Sequence, residues 1–313
     1  MIMSNFIETN FYNLINIFKN STIEELYEHM LFQFNLLPPQ LQKSLETFLN
    51  QYQYWGELDL NSKNYNYLFE KAKIFKTHYK DYVWLFNKLK DTKSKFVLFS
   101  ILNNFYDFDF KNLKNAIENV YTHYFDLDIL PNMKNEVFVD VGSYIGDTVL
   151  DFIKSYGENC YKKIYCYEIT DLNLKYLKQN LYSYKKISIK NKAVSNKKGF
   201  LYIKSNSTST SANQTSSIGD IKIEATSLDV DIKEKITLVK MDIEGDEQKA
   251  IKGMKEHIIK DNPKLLISIY HNNVDIFKIA KMIFSFNKNY NFYLRYYGGP
   301  IYATEFVLIA IPK

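Results

Sequence analysis

The chain has 313 residues, of which 46% are hydrophobic, a formal net charge of +5 and two cysteines. Its hydrophobic content is too high for a disordered chain and is enough for one large or two ordinary folded domains. No apolar run approaches the roughly 18 residues that a membrane span needs. The N-terminus lacks the features of a signal peptide, and two cysteines imply no disulfide framework, so we expect a cytoplasmic location.

Lysine supplies nearly all of the positive charge, because Arg295 is the only arginine. Proteins that read nucleic acids use arginine for bidentate contacts to guanine and phosphate. We therefore expect the lysines to form a solvated surface, and we expect no nucleic-acid partner.

Residues 1–123 show the periodicity of helices. Apolar residues recur at three- and four-residue spacings within residues 21–34 and 68–89. Ser21 and Glu24 have the spacing of a capping box. The pattern predicts a mainly helical N-terminal region whose aromatic residues mostly form a core, and which serves as a substrate cap or in oligomerisation.

From residue 124 to residue 313, short apolar runs alternate with helical segments. Strands are predicted at residues 137–141, 164–167, 187–190, 200–203, 221–225, 236–241 and 265–270. Helices are predicted at residues 148–156, 171–182 and 273–286, and another follows the strand at 236–241 and runs through Met254. This alternation predicts an α/β fold with a parallel sheet, closed by an antiparallel pair at residues 292–297 and 305–311. The polar residues 205–217 predict a loop.

A glycine turn follows the first predicted strand, with the sequence Asp140-Val-Gly142-Ser143-Tyr144-Ile-Gly146-Asp147-Thr148. A glycine directly after a strand lets the backbone approach a ligand, and a second one lets the next helix begin tightly. The Asp140 carboxylate would attract the ammonium of an amino acid. The Gly-x-x-x-Gly spacing differs from the dinucleotide fingerprint, which argues against a nicotinamide-dependent oxidoreductase.

Glu168 ends the second predicted strand. A carboxylate at this position can accept hydrogen bonds from both hydroxyls of a ribose. The alternative is an acid that interacts with the dipole of the helix predicted to begin near Asp171.

The third group of polar residues lies at the ends of two later strands. Asp242 and Glu244 follow one strand, and His271 follows the next. A neutral imidazole beside a carboxylate can take a proton from a hydroxyl. A divalent cation held by Asp242 with His271 or Asn272 is the alternative. Asp246 and Glu247 fit the start of a helix, and the other histidines do not follow a strand.

The succession VFVDVGSYIGDT, IYCYE, NKAVS, ITLVKMDIEGDEQKAIKGM and PKLLISIYH resembles the FkbM family of methyltransferases over residues 124–313. The resemblance implies a Rossmann-like class I methyltransferase sheet, mostly parallel with an antiparallel last strand. It also implies S-adenosylmethionine (AdoMet) as cofactor. The expected reaction is O-methylation of a small molecule, namely a sugar hydroxyl of a nucleotide sugar or of a surface-glycan precursor. The alternatives are a catalytically inactive AdoMet- or nucleotide-binding module and a methyltransferase for another small molecule.

The same resemblance implies roles for individual residues. It places the methionine part of AdoMet at the glycine turn, the ribose at Glu168 and the adenine beside Ile169 and Ala193. The catalytic candidates are His271, Asp242 and Glu244, and no metal ligand set is predicted. The expected cofactor contacts are Asp140, Gly142, Ser143, Tyr144, Gly146, Asp147, Thr148, Glu168, Ile169, Ala193 and Asp242.

Overall fold

A computed structural model describes residues 2–52, 54–203, 215–216 and 221–313. The loop predicted at residues 205–217 lies outside these described residues, except for Thr215 and Ser216, which form a short strand.

The chain divides into two compact units, each made of three segments. The first unit comprises Met1–Glu118, Ile269–Ala280 and Asn291–Val307, and the second comprises Asn119–Ser268, Lys281–Tyr290 and Leu308–Lys313. The predicted domains, residues 1–123 and 124–313, stay a prediction.

The N-terminal part of the first unit is helical, as predicted. Its described helices are α1 (Ile2–Asn20), α2 (Ile23–Asn35), α3 (Pro39–Tyr52), α4 (Asn66–Lys88), α5 (Thr92–Asp107) and α6 (Phe110–Asn115). Proline at the first position of α3 suits a helix start, because its missing N–H would have no partner there.

The capping box predicted at Ser21 and Glu24 was wrong by one residue. Thr22 caps α2: its hydroxyl accepts from the Glu25 N–H at 3.1 Å, and the Glu25 carboxylate accepts from the Thr22 N–H at 2.7 Å. Both sites carry a hydroxyl followed three residues later by a glutamate, so the spacing alone could not choose between them.

Aromatic pairs and a buried ion pair stabilise the first unit. The rings of Phe11 and Phe86 stack with centroids 3.9 Å apart. Arg295, which comes from the late segment of this unit, binds Asp91 at 2.7 Å, and the Leu294 N–H donates to Ser94 at 2.8 Å. The late segments are therefore joined to the N-terminal helices by charge and backbone contacts within this unit.

Eleven strands are present in the described residues. They are β1 (Glu136–Val141), β2 (Tyr161–Tyr167), β3 (Ile187–Lys190), β4 (Ala193–Val194), β5 (Gly199–Ile203), β6 (Thr215–Ser216), β7 (Ile221–Thr226), β8 (Leu238–Met241), β9 (Lys264–Ser268), β10 (Tyr290–Tyr296) and β11 (Phe306–Pro312). Seven of them form a sheet in the order β10-β11-β9-β8-β1-β2-β3. The pairs β2–β3, β1–β2, β1–β8 and β8–β9 are parallel, and the last strand is antiparallel, as predicted.

The central strands are buried along their whole length, which is typical of a parallel sheet covered on both faces. The remaining four strands form a smaller sheet in the order β4-β7-β5-β6. The predicted strands at residues 200–203 and 221–225 belong to this smaller sheet, where they pair antiparallel.

The later helices are α7 (Asp147–Tyr156), α8 (Asp171–Asn180), α9 (Leu228–Asp231), α10 (Glu247–Lys252), α11 (Lys255–Lys260) and α12 (Asp275–Phe286), with a 3₁₀ turn at Glu158–Cys160. The prediction of a single helix through Met254 was wrong beyond Lys252. The chain forms two helices there, α10 and α11, with a break at Gly253 and Met254. A Cβ on Gly253 would lie 2.0 Å from the Ser195 carbonyl oxygen, so a close backbone approach occurs at this break. None of the described helices is long and apolar enough to cross a bilayer.

Candidate functional site

The glycine turn after β1 is fixed by close backbone contacts. Gly142 has φ +79°, and a Cβ there would lie 1.8 Å from the carbonyl oxygen of Asp242. The Gly142 and Ser143 N–H groups both donate to the Tyr167 carbonyl at 3.0 Å. Only glycine therefore lets the turn after β1 pass this close to the turn after β8.

Gly146 ends the turn and precedes the first residue of α7. It has φ +90°, and its N–H donates to the Ser143 carbonyl at 2.8 Å. Asp147 lies in the first turn of α7, where a negative charge is favoured by the helix dipole, and Thr148 beside it is buried. These predicted cofactor residues thus form one continuous strand–turn–helix segment.

Tyr144 has a strained backbone within this turn. Its φ is +46°, a region that non-glycine residues rarely adopt, and its side chain is 36% exposed. Its N–H donates to the Glu168 carboxylate at 2.9 Å, which stabilises this conformation. The turn after β1 and the end of β2 are therefore linked through one carboxylate.

Glu168 is buried, with 7% of its surface exposed, and it accepts several hydrogen bonds. One oxygen accepts from Tyr144, and the other accepts from the N–H groups of Ile169 and Thr170, both at 2.8 Å. Burial raises the pKa of Glu168, while these backbone hydrogen bonds act in the opposite direction. The carboxylate thus contacts the segment leading into α8, and a carboxylate has further lone pairs for ligand hydroxyls.

Ile169 and Ala193, the residues expected beside an adenine, are brought together. Ala193 lies in β4 and forms a small buried cluster with Ile223 and Ala225, against which Ile169 packs. This places an apolar surface directly after Glu168 in the chain, as a planar base beside a ribose would require.

Asp140 is fully buried and pairs with Lys240, a residue that the sequence interpretation did not single out. The Lys240 ammonium lies 3.3 Å from the Asp140 carboxylate and donates to the Gly142 carbonyl at 2.7 Å. Burial raises the pKa of Asp140 to about 6 in spite of the opposing effect of Lys240. Burial by itself lowers the pKa of Lys240. The nearby carboxylates raise this pKa by more, so the net shift is upward. The expected contact between Asp140 and a ligand ammonium stays a prediction.

Asp242 at the end of β8 is oriented by a tyrosine from a distant part of the chain. The Tyr124 hydroxyl donates to Asp242 at 2.8 Å and lies 3.1 Å from the Ser268 hydroxyl. Because Met241 pairs with Ile267 in parallel register, Asp242 and Ser268 are the next residues on neighbouring strands. Three oxygen-bearing side chains therefore meet at the carboxyl ends of β8 and β9.

His123 stacks on this tyrosine, with ring centroids 4.0 Å apart and planes within 8°. Burial lowers the pKa of His123 to about 4, although the Asp242 carboxylate acts in the opposite direction. The imidazole is therefore neutral at pH 7. Sequence interpretation missed His123 and Tyr124, because neither follows a predicted strand and Tyr124 lies 118 positions before Asp242.

The acidic turn after Asp242 combines a strained residue with a helix start. Glu244 has φ +58° and Gly245 has φ +105°. Asp246 directly precedes α10, and the buried Glu247 accepts from the Ile243 N–H at 2.9 Å. The expected helix-start role of Asp246 and Glu247 is thus confirmed, whereas a catalytic role of Glu244 stays a prediction.

His271 belongs to the first unit and follows β9 by three residues. It is buried, with 1% exposed, and its ring lies edge-on to Tyr54 at 5.2 Å and near Tyr270 at 4.1 Å. The Tyr270 carbonyl in turn accepts from the Trp55 indole at 2.6 Å. Aromatic contacts within this unit thus fix the position of the histidine, and its role as a base stays a prediction.

The seven-stranded sheet, the glycine turn and the acidic residue after β2 together define a Rossmann-like methyltransferase fold. The methyltransferase FkbM domain family matches residues 140–297, half of the chain, and we conclude that this protein belongs to the FkbM methyltransferase family. No curated protein matches the sequence.

Solved structures show the same fold. Methyltransferase FkbM from Methylobacillus flagellatus KT is 23% identical and superposes with a TM-score of 0.68, with 85% of this chain and 65% of that chain covered. This chain therefore spans less than two thirds of that relative's length.

More distant similarities extend over less of this chain. An rRNA methylase from Streptococcus thermophilus is 13% identical, with a TM-score of 0.39 over 58% of this chain and 90% of that chain. Fibrillarin from Aeropyrum pernix with natively bound S-adenosyl-L-methionine is 10% identical, with a TM-score of 0.36 over 57% of this chain and 66% of that chain. Similarity of this extent says nothing about the ligand or substrate of this chain.

Proposed function

We propose that this methyltransferase uses AdoMet and transfers its methyl group to a hydroxyl of a small molecule, a sugar or a nucleotide sugar. The observation that carries the proposal is the link between the glycine turn after β1 and the Glu168 carboxylate at the end of β2. A ligand held at the carboxyl ends of neighbouring parallel strands would meet both.

The residues of the second unit fit this cofactor. Glu168 offers acceptor lone pairs to ribose hydroxyls, and the apolar cluster of Ile169 and Ala193 offers a surface for the adenine. The turn from Gly142 to Gly146 brings backbone groups, without bulky side chains at its two glycines, toward the methionine part. The Asp140 carboxylate balances the Lys240 charge beneath this turn, so the turn itself is held by a buried ion pair.

When bound, AdoMet supplies a methyl group on a sulfonium, which an acceptor oxygen can attack. A C–O bond would then replace the C–S bond, and a base of this chain would have to take the acceptor proton. Asp242, fixed by the Tyr124 hydroxyl, would bind and orient the acceptor hydroxyl. His271 would take the proton as a general base.

A sugar acceptor is supported by the kind of groups at the ends of β8 and β9. Tyr124, Asp242 and Ser268 of the second unit all offer hydrogen bonds, which suits a substrate with several hydroxyls. The FkbM resemblance implies the same class of acceptor. A divalent cation held by Asp242 with His271 or Asn272 is the alternative way to activate the hydroxyl.

Calorimetric binding and methyl-transfer assays test the proposal. AdoMet and S-adenosylhomocysteine should bind and NAD should not, and isotope-labelled methyl should pass from AdoMet to nucleotide sugars or their glycans. Asp242→Asn should transfer methyl more slowly. AdoMet binding without transfer to any hydroxyl acceptor would instead support the inactive module, and no AdoMet binding would overturn the cofactor assignment.

A further inference from the structure

A recess in the first unit is lined by aromatic side chains and has no role in the proposed methyl transfer. It is partly open to solvent and lies between α3, α4, α5 and residues 301–304, where about 390 Å³ is free of protein atoms, open solvent included. Its aromatic lining residues are Phe48, Trp55, Tyr67, Phe105, Phe108 and Tyr302. Phe48 and Tyr302 stack with centroids 4.0 Å apart, so aromatic rings form part of its wall. Such a surface suits a planar or apolar body.

A buried cation lies against this lining. The Lys71 ammonium is 3.7 Å from the centroid of the Phe105 ring and 5.7 Å from that of Tyr67. Lys71 is only 4% exposed and forms no ion pair with any described residue. Burial lowers its pKa to about 7, because the charged form loses solvation there.

A buried amide in the same recess also lacks a partner. Asn104 lines the recess and is 5% exposed, and its side-chain nitrogen has no hydrogen bond within the described part of the chain. An unsatisfied buried donor is costly, and such donors in native structures call for an explanation. The side-chain nitrogen carries N–H donors that an acceptor group of a ligand could satisfy.

We propose that this recess binds a small organic anion, whose planar or apolar body packs on the aromatic lining while its carboxylate or phosphate meets Lys71 and Asn104. An anion provides the counter-charge that the lysine lacks and the acceptor that the amide lacks. A neutral ligand of the same shape provides only the packing. The inference is independent of methyl transfer, because all of these residues belong to the first unit.

Fluorescence of a single tryptophan can detect this binding. Trp55 lines the recess, and Trp84 is the only other tryptophan, so Trp84→Phe leaves Trp55 as the sole reporter. In this background, benzoate and phenyl phosphate should change the emission of Trp55 in a saturable way. Benzamide, which is neutral and has the shape of benzoate, should bind about tenfold more weakly or worse, the scale of a hydrogen bond between charged groups.

Substitution of the two polar residues locates the anion. Lys71→Met keeps most of the side-chain volume and should abolish the preference for benzoate over benzamide. Lys73→Met on the same helix is the matched control, because Lys73 is half exposed and should leave both affinities unchanged. Asn104→Leu, a second and uncharged substitution, should weaken benzoate binding several-fold. Thermal unfolding of each variant checks that it is folded.

Three results would overturn the proposal. These are failure of both anions to bind at millimolar concentration, equal binding of benzoate and benzamide, and an unchanged preference in a folded Lys71→Met variant. A preference that survives Lys71→Met but is lost in Lys73→Met would place the anion outside the recess. None of these results bears on AdoMet binding. The proposed anion site and the proposed methyl transfer are therefore tested independently.

Discussion

Glu168 is held by backbone groups from two different segments of the chain. It accepts from three N–H groups on two sides, one in the turn after β1 and two in the segment before α8. A side chain held in this way is preorganised, so a ligand does not have to order it on binding. Substitution of this residue therefore tests both the ribose contact and the turn.

Glu168→Gln should weaken AdoMet binding by ~1 to 3 kcal/mol, the range for hydrogen bonds that involve a charged group. The glutamine keeps the size but loses the charge, and its NH₂ cannot accept from a backbone N–H. Isothermal titration calorimetry measures the change. Glu256→Gln is the control, because Glu256 is exposed on α11 and should not affect affinity. Equal affinity in wild type and Glu168→Gln would remove Glu168 from the ribose site.

His271→Ala should lower kcat roughly 10²- to 10⁴-fold, the usual contribution of a general base. AdoMet affinity should stay nearly unchanged, because the histidine would meet the acceptor and not the cofactor. Steady-state kinetics and calorimetry separate the two effects, and His29→Ala, which changes a half-exposed histidine paired with Asp107, is the control.

Chelation distinguishes the base from the metal alternative. A cation-dependent enzyme would lose activity in EDTA and regain it with Mg²⁺ or Mn²⁺, whereas a histidine-only enzyme would be unaffected. Near wild-type turnover of His271→Ala together with indifference to EDTA would exclude both schemes. Asp242 and Glu244 would then be the next candidates for the base.

His123 should make stability fall in acid. Its pKa is lowered from 6.5 to about 4 in the folded chain, so the unfolded chain takes up the proton first. The contribution of neutral His123 to the free energy of unfolding is therefore complete above pH 6.5, and it is lost as the pH falls toward 4. At 1.36 kcal/mol per pKa unit, about 2 kcal/mol is lost between pH 7 and pH 4.5.

His123→Phe keeps a ring that can stack on Tyr124 and removes this titration. Urea unfolding at pH 7 and pH 4.5 should show a loss of stability on acidification that is about 2 kcal/mol smaller in the variant. An identical loss in both proteins would mean that His123 does not titrate as its burial implies.

At the scale of elements, β1 and β8 are joined through one buried lysine. Lys240 in β8 contacts the Asp140 carboxylate in β1 and the carbonyl of Gly142 just beyond it. Asp140 and Lys240 lie opposite each other in the parallel pairing of β1 and β8. The ion pair thus fixes both the strand pairing and the start of the glycine turn.

Lys240→Met should destabilise the fold by about 3 to 5 kcal/mol, because it leaves the Asp140 charge buried without its partner. The double variant Asp140→Asn, Lys240→Met should be less destabilised than the sum of the two single variants, since it removes both charges. Urea unfolding of all four proteins gives the coupling energy. Additive effects would show that the two side chains act independently.

The sequence predicted the structure best where the residues of a single helix or strand show which element they form. The mainly apolar run at residues 137–141, followed by Gly142, identified β1 and its turn, because a strand buried on both faces is mostly apolar; Asp140, which pairs with Lys240, is the exception in this run. The sequence did not predict contacts between segments that are far apart in the chain. The break at Gly253 depends on the Ser195 carbonyl, and the orientation of Asp242 depends on Tyr124. Neither contact leaves a local pattern in the chain.

At the scale of the whole molecule, the two units are interleaved in the sequence. The chain passes between them five times, at residues 118, 268, 280, 290 and 307. Helix α12 and strand β11 each contain residues of both units. If one unit unfolded alone, part of α12 and part of β11 would unfold with it. Each of these elements would then lose some of its hydrogen bonds. We therefore expect the whole chain to unfold in one transition.

The two tryptophans allow this to be tested with the cofactor. Trp55 and Trp84 both lie in the first unit, whereas Glu168 and the glycine turn lie in the second. AdoMet at about 100 times its Kd should stabilise the folded chain by ~2.7 kcal/mol. For a chain of 313 residues, with an unfolding entropy of about 2.1 cal/mol/K per residue, that raises Tm by roughly 4 °C. If unfolding is cooperative, tryptophan fluorescence will report the full shift, although the proposed cofactor residues all lie in the second unit. A tryptophan midpoint that stays fixed while circular dichroism shows a separate, AdoMet-sensitive transition would contradict cooperative unfolding.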